Sequence, residues 1–120
     1  MELRTDKIRA CFDRKIGNFT ELWNLSTNTN YVRCAPRDPL IELYGLKNGE
    51  RVKLSGHISD VAEAPDALIL SYDSFGEYDI SAKVTCRCEQ DRLVLSAEIC
   101  DHSTIDVTEI LMPHLGGIYL

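Results

Sequence analysis

At 120 residues the chain has the usual size of one folding domain, long enough to bury a core without metal or disulfide staples. Its 44% hydrophobic and 27% charged residues suit a folded globular protein, and no apolar run approaches the ~18 residues of a membrane span. The net charge of −6 is uneven: ten Lys or Arg face seven Asp or Glu up to residue 59, and three face twelve from residue 60 on. An acidic second half lacks the clustered cations that phosphate neutralisation needs, so a nucleic-acid interface is excluded there.

The N-terminal stretch MELRTDKIRACFDRK is charged throughout and has no apolar run, unlike a secretory signal. Five cysteines form an odd set without framework spacing. Together these predict reduced thiols in a cytoplasm rather than a disulfide scaffold. No repeat, low-complexity tract or long linker divides the chain, so residues 1–120 read as a single domain.

From Thr5 to about Leu25, Ile8, Cys11, Phe12, Ile16, Phe19, Leu22 and Trp23 recur at spacings of three and four. That is the period of an amphipathic helical segment with one buried stripe. Thr5 serves as its N-cap, with Asp6 in the first turn, and Gly17-Asn18 marks a break where a second helix can start at Thr20. The stretch NLSTNTNYVRCAPRDP, residues 24–39, reads mostly as a loop. It is long enough to hide a short element or to carry function.

Beyond Pro39 the period drops to about two. LIELYGL and RVKLSGHISD flank Asn48-Gly49, the strongest short hairpin signal, which sets Leu43 opposite Leu54 and Ile41 opposite Gly56. A short helix starting at Asp38 and stopped by Gly45 competes with this hairpin, which is favoured because both halves bury the same face. A second hairpin joins ALILSYD to EYDISAKVTCRCE across Asp73–Gly76, and a third leads into RLVLSAEIC. TIDVTEIL is a sixth run, and GGIYL can add a short strand. The expected fold class is α+β: an N-terminal helical segment packed on a curved antiparallel sheet of about six strands in meander order.

KVTCRCEQDRLVLSAEICDH, residues 83–102, holds Cys86, Cys88, Cys100 and His102, the ligand types of a zinc site. Alternation puts Cys86 and Cys88 in the apolar series with Ile80, Ala82 and Val84. A turn at Gln90-Asp91 pairs Cys88 with Leu93, Cys86 with Leu95 and Val84 with Ala97, leaving Cys100 and His102 on the other face. Cys100 then lies about 17 Å along the strand from the partner of Cys86. Zinc ligands must all lie ~2.0–2.3 Å from one ion, so the two cysteines read as small buried hydrophobes and no metal or cofactor is expected.

Asp101-His102-Ser103 contains triad residue types, but neighbouring strand residues point apart. Near Cys34 only Arg33 and Arg37 favour a thiolate, so it reads as a loop or core thiol rather than a nucleophile served by a distant histidine. Gly116-Gly117 reads as a turn. No nucleotide, zincin or calcium motif is present, and no enzymatic activity is expected.

If the strands run in the proposed order, the 61–66 connection and the 89–92 turn share one end. That end gathers Asp60, Glu63, Asp66, Glu89 and Asp91, with Arg87 and Arg92 the nearby bases. Such a rim suits capture of a basic protein partner by electrostatic steering. In size, acidity and lack of catalytic signatures the chain resembles the immunity proteins that neutralise bacterial toxins. That resemblance implies acidic residues occluding the basic active site of a nuclease-type toxin domain. The alternative is a ligand-binding or small enzymatic α+β domain with a pocket inside the curved sheet, lined by Tyr72 or Tyr78. A third is a structural subunit of a larger assembly.

Overall fold

A computed structural model describes residues 1–32, 36, 38–90 and 92–113. Strands β1 (Glu2–Arg4), β2 (Ile8–Asp13), β3 (Asn18–Asn24) and β4 (Thr29–Asn30) form one four-stranded sheet in that order. β5 (Glu42–Lys47), β6 (Glu50–Ala64), β7 (Ala67–Phe75), β8 (Ile80–Glu89), β9 (Arg92–Asp101) and β10 (Asp106–Leu111) form a six-stranded sheet, ordered β10-β5-β6-β7-β8-β9. Every pairing is antiparallel.

The fold is therefore all-β, and the expected α+β class with an N-terminal helical segment is overturned: no helix occurs among the described residues. The physical reason lies in β2 and β3. Both strands send Ala10, Phe12 and Phe19 into the core, with Ile8 and Leu22 packed against it. Ile8 and Phe12 are four apart because two strand repeats make four. Phe12 pairs Phe19 while Cys11 pairs Glu21, so Thr20 is an extra, bulged residue. The bulge leaves Phe19 and Leu22 three apart on one face. Spacings of four and three then imitate a helix without one.

The apparent caps have the same explanation. Thr5 Oγ1 accepts the backbone N–H groups of Lys7 (3.1 Å) and Ile8 (3.0 Å) in the β1–β2 turn, the bond a helix N-cap makes. Asp13 Oδ1 likewise accepts from Lys15 and Ile16, and Gly17 N–H donates to the Asp13 carbonyl. That single helix-like turn ends at Gly17, whose φ of 75° is left-handed. The stretch expected as a loop holds the hidden element, β4.

The first and third of the later hairpins follow the expected registers, whereas the second turns at Gly76-Glu77 because Asp73, Ser74 and Phe75 belong to β7. Asn48 and Gly49 have φ of 53° and 79°, as a two-residue hairpin turn requires, and Leu43 pairs Leu54. Ile41 precedes β5 and is buried without joining the ladder. Cys88 pairs Leu93, Cys86 pairs Leu95 and Val84 pairs Ala97. β5 to β9 run as a meander, but β10 returns to β5. On a flat sheet five strand spacings would separate β9 from β10 by about 24 Å. The chain from Asp101 to Asp106 reaches at most about 18 Å, so the sheet must curl into a half-barrel.

Paired residues share a face, so the rows Val61–Leu70–Val84–Ala97 and Glu63–Leu68–Cys86–Leu95 point inward. Leu68, Leu70, Phe75, Ile80, Val84 and Cys86 are at most 2% exposed and form one cluster with Ala10, Phe12 and Phe19. The small sheet thus covers the concave face of the large one. The cover is incomplete at β9, where Leu93, Leu95 and Ile99 are half-buried and Ala97 is exposed. No helix of the described residues is long and apolar enough to cross a membrane.

Candidate functional site

Where the small sheet stops short of β9, a cleft of about 680 Å³ opens. β2 and β3 supply Ile8, Leu22 and Trp23, β9 supplies Leu93 and Leu95, and Tyr31 and Pro113 complete the apolar wall. Lys7, Asn24 and Ser26 form its polar side, and no carboxylate is among the described lining residues. The volume falls in the range of small-molecule sites, about 300–1,000 Å³.

The polar side is set by turn chemistry. Asn24 Oδ1 accepts the N–H groups of Ser26 (3.0 Å) and Thr27 (3.4 Å), which leaves its amide nitrogen to donate. Lys7 makes no ion pair among the described residues. Trp23 alternates with Leu22, so its ring lies on the outer face of the small sheet with Glu21 and Arg9 and borders the cleft from there; Nε1 donates to Glu21 Oε1 at 3.1 Å. That bond, followed by one from the Cys11 thiol, holds the Glu21 carboxyl below its ordinary value. Arg9 links Glu21 (3.8 Å) and Glu2 (2.8 Å), so the outer face of the small sheet carries the charges.

Of the five acidic residues expected to form a rim, Asp66 and Glu89 do meet at one end. The Cys88 N–H donates to the Asp66 carbonyl, tying the β6–β7 and β8–β9 hairpin tips together. Glu63 lies near that end, within β6 rather than in a connection, and pairs with Leu68. The bulges of β6 near Ile58 change the facing of its later residues, and Asp60 pairs Ser71 on the outer face, opposite to Glu63. Arg92 pairs with Glu89 at 3.3 Å. Thr5 Oγ1 donates to the Gln90 carbonyl at 2.6 Å, which brings the turn carrying Asp6 and Lys7 to the same end. Asp91 lies outside the described residues, as do Arg33, Cys34, Arg37, His114, Gly116 and Gly117.

The thiol stretch adopts the expected faces. Cys86 is fully buried, and burial pushes its thiol up to about 12. Cys88 is buried and raised for the same reason, whereas Cys100 pairs Ser81 on the outer face and is exposed. A thiol so protonated is a hydrophobe rather than a nucleophile. Tyr72 is 2% exposed, its hydroxyl has no hydrogen-bond partner among the described residues, and burial raises its pKa, which keeps the phenol neutral. It lines a separate, smaller cleft, and Tyr78 lines neither of the two.

Sequence reasoning assigned Trp23 to a core stripe and Leu93 and Leu95 to the core. The alternation in β9 does give the correct face for both leucines. It carries no information on whether another sheet covers that face, which is what turns them into cleft residues. No protein-family model matches the chain, and neither a characterised protein nor a solved structure shows significant similarity to it.

Proposed function

We propose that the chain is a ligand-binding β-domain that takes one small amphipathic molecule in the cleft between its two sheets. One observation carries this reading: an aromatic and aliphatic wall of Tyr31, Leu22, Leu93 and Leu95, bordered by Trp23, faces a polar side of Lys7, Asn24 and Ser26. The wall removes an apolar body from water at about 25 cal/mol per Å². Lys7 supplies the charge for an anionic or strongly accepting group, and Asn24 and Ser26 supply hydrogen-bond donors. The ligand is therefore a flat apolar body with an acidic group at one edge. The reading keeps the chain in a reducing cytoplasm, in line with Cys11, Cys86, Cys88 and Cys100 being free.

Anilinonaphthalene sulfonate has this chemistry, and Trp23 is the chain's single tryptophan. Titration is expected to give saturable energy transfer from Trp23 to the probe. Leu95→Glu should weaken it about tenfold or more by removing apolar wall and adding repulsion, with thermal unfolding run alongside to confirm folding. Lys7→Ala should weaken the sulfonate but not the uncharged parent compound. Equal affinity in wild type and a folded Leu95→Glu variant would remove the cleft as the site.

A second reading, of a binding or inhibitor protein for a basic partner of the toxin type, is favoured by the joining of the two hairpin tips that carry Asp66 and Glu89. Charge reversal at Glu63 and Asp66 is then expected to slow association with a basic nuclease-type domain about tenfold at low salt. A rate that ignores both the reversal and the salt concentration would discard this surface.

A further inference from the structure

The smaller cleft, about 270 Å³, lies at the other end of the β2–β3 hairpin from the apolar cleft. Among the described residues its charged or basic lining is Arg14 and Lys15 from the β2–β3 turn and His57 from β6. We infer that this cleft binds a small phosphate monoester, with its phosphate held by Arg14 and Lys15 and its organic part against Tyr72 and Ile58.

Four features support the assignment. First, the nearby carboxylates are engaged elsewhere. Asp13 Oδ1 accepts the N–H groups of Lys15 (2.8 Å) and Ile16 (3.1 Å), and Asp73 Oδ1 lies 2.8 Å from His57 Nδ1. Neither aspartate lines the cleft. Second, Arg14 and Lys15 form no ion pair among the described residues. The one hydrogen bond of the Arg14 guanidinium, Nη2 to the Ser59 carbonyl at 3.5 Å, is long and leans it toward β6. Its remaining donors keep the fork that matches a phosphate.

Third, His57 pairs Ser74 and turns with Asp73 to the outer side of β6, which leaves Ile58 and Tyr72 as the apolar side of the cleft. Fourth, the backbone comes close. Gly17 has φ of 75°, and a side chain at Gly56 would meet the Tyr72 and Phe75 rings at 2.7 Å. At Gly17 the turn comes close to β6: a Cβ on this glycine would lie 3.5 Å from Ile58 Cδ1. The volume suits one phosphate on a compact organic group rather than a nucleic-acid strand.

The test is a titration of isotope-labelled protein, followed by amide NMR shifts, with phenyl phosphate, inorganic phosphate and neutral phenol at constant ionic strength. Phenyl phosphate is expected to saturate and to move the amides of Lys15–Gly17 and Gly56–Ile58, with inorganic phosphate weaker and phenol without effect there. Arg14→Ala with Lys15→Ala should weaken phenyl phosphate about tenfold or more. Their side chains are exposed, so unfolding temperature and probe binding at the apolar cleft should not change. Shifts scattered over the surface, or an affinity unaltered in the double variant, would overturn the assignment.

Discussion

Phe75→Ala is expected to lower the unfolding free energy by about 4 kcal/mol, a large part of the ~5–15 kcal/mol typical of a domain. Phe75 is fully buried at the end of β7, and its ring stacks on Tyr72 with centroids 5.5 Å apart and planes at 27°. It pairs with Gly56 across β6 and β7, and a Cβ built on Gly56 would lie 2.7 Å from Cε1 of the ring. The glycine and the ring are one packing unit: the ring occupies the space that any other side chain at position 56 would take. Truncation therefore leaves a cavity that the stiff, twisted strands cannot close. With an m value of about 2 kcal/mol/M, the urea midpoint should fall by about 2 M. Gly56→Ala alone should cost about 1–3 kcal/mol by overpacking. Combined with Phe75→Ala its cost should shrink by at least ~0.5 kcal/mol, because one of the two rings that a Cβ there meets is gone and the other, Tyr72, can shift into the space left. Strict additivity in that cycle would mean that the ring does not close position 56.

The same glycine shows how far sequence reasoning reaches. Asn48-Gly49 announces its hairpin because the two-residue turn demands positive φ at both positions, and few residues accept that. The β8–β9 register is legible for a similar reason. Cys86, Cys88, Leu93 and Leu95 alternate strictly, and a slip by one residue would turn every one of them to water. At the N-terminus the rule fails. Thr20 adds one residue to β3, so Phe19 and Leu22 share a face three apart, and Asp13–Gly17 forms one helix-like turn between the strands. A bulge and an α-turn are invisible to a period, since each is defined by its partner strand. The clefts were illegible on other grounds. Alternation in β9 tells which way Leu95 points, but the gap in front of it depends on where an unrelated sheet ends.

The acidic rim marks an intermediate case. Chain order did bring the tips carrying Asp66 and Glu89 together, because consecutive hairpins in a meander return to the same end. It could not anticipate that the bulges in β6 would send Asp60 outward and leave Glu63 on the inward row. Nor could it anticipate that the Thr5 turn would dock against Gln90 and add Lys7 to that end. Charge counts along a sequence hold, then, only as far as strand facing is known.

Asn18→Ala should be the second severe substitution, at about 2–4 kcal/mol, because it leaves a buried N–H and a part-buried carbonyl without the partners they have. Asn18 begins β3 and is fully buried. Its Oδ1 accepts the Phe19 N–H at 2.7 Å, and its Nδ2 donates to the Asp38 carbonyl at 2.9 Å. Leu40 N–H donates to the Gly17 carbonyl at 2.8 Å in the same place. These bonds attach the small sheet to the segment that enters β5 of the large sheet, so they position the two sheets and both clefts between them. Asn18→Asp separates the two roles. A carboxylate there still accepts from Phe19, but it can donate to Asp38 only when protonated. Its folded pKa should therefore rise above the unfolded ~3.9. A raised value stabilises below the unfolded pKa and is lost as pH rises through the folded one, so Asn18→Asp should cost less at pH ~4 than at pH ~7. Urea melts at the two pH values measure this directly. An aspartate variant whose deficit is the same at both would show that the donation to Asp38 does not hold the sheets together.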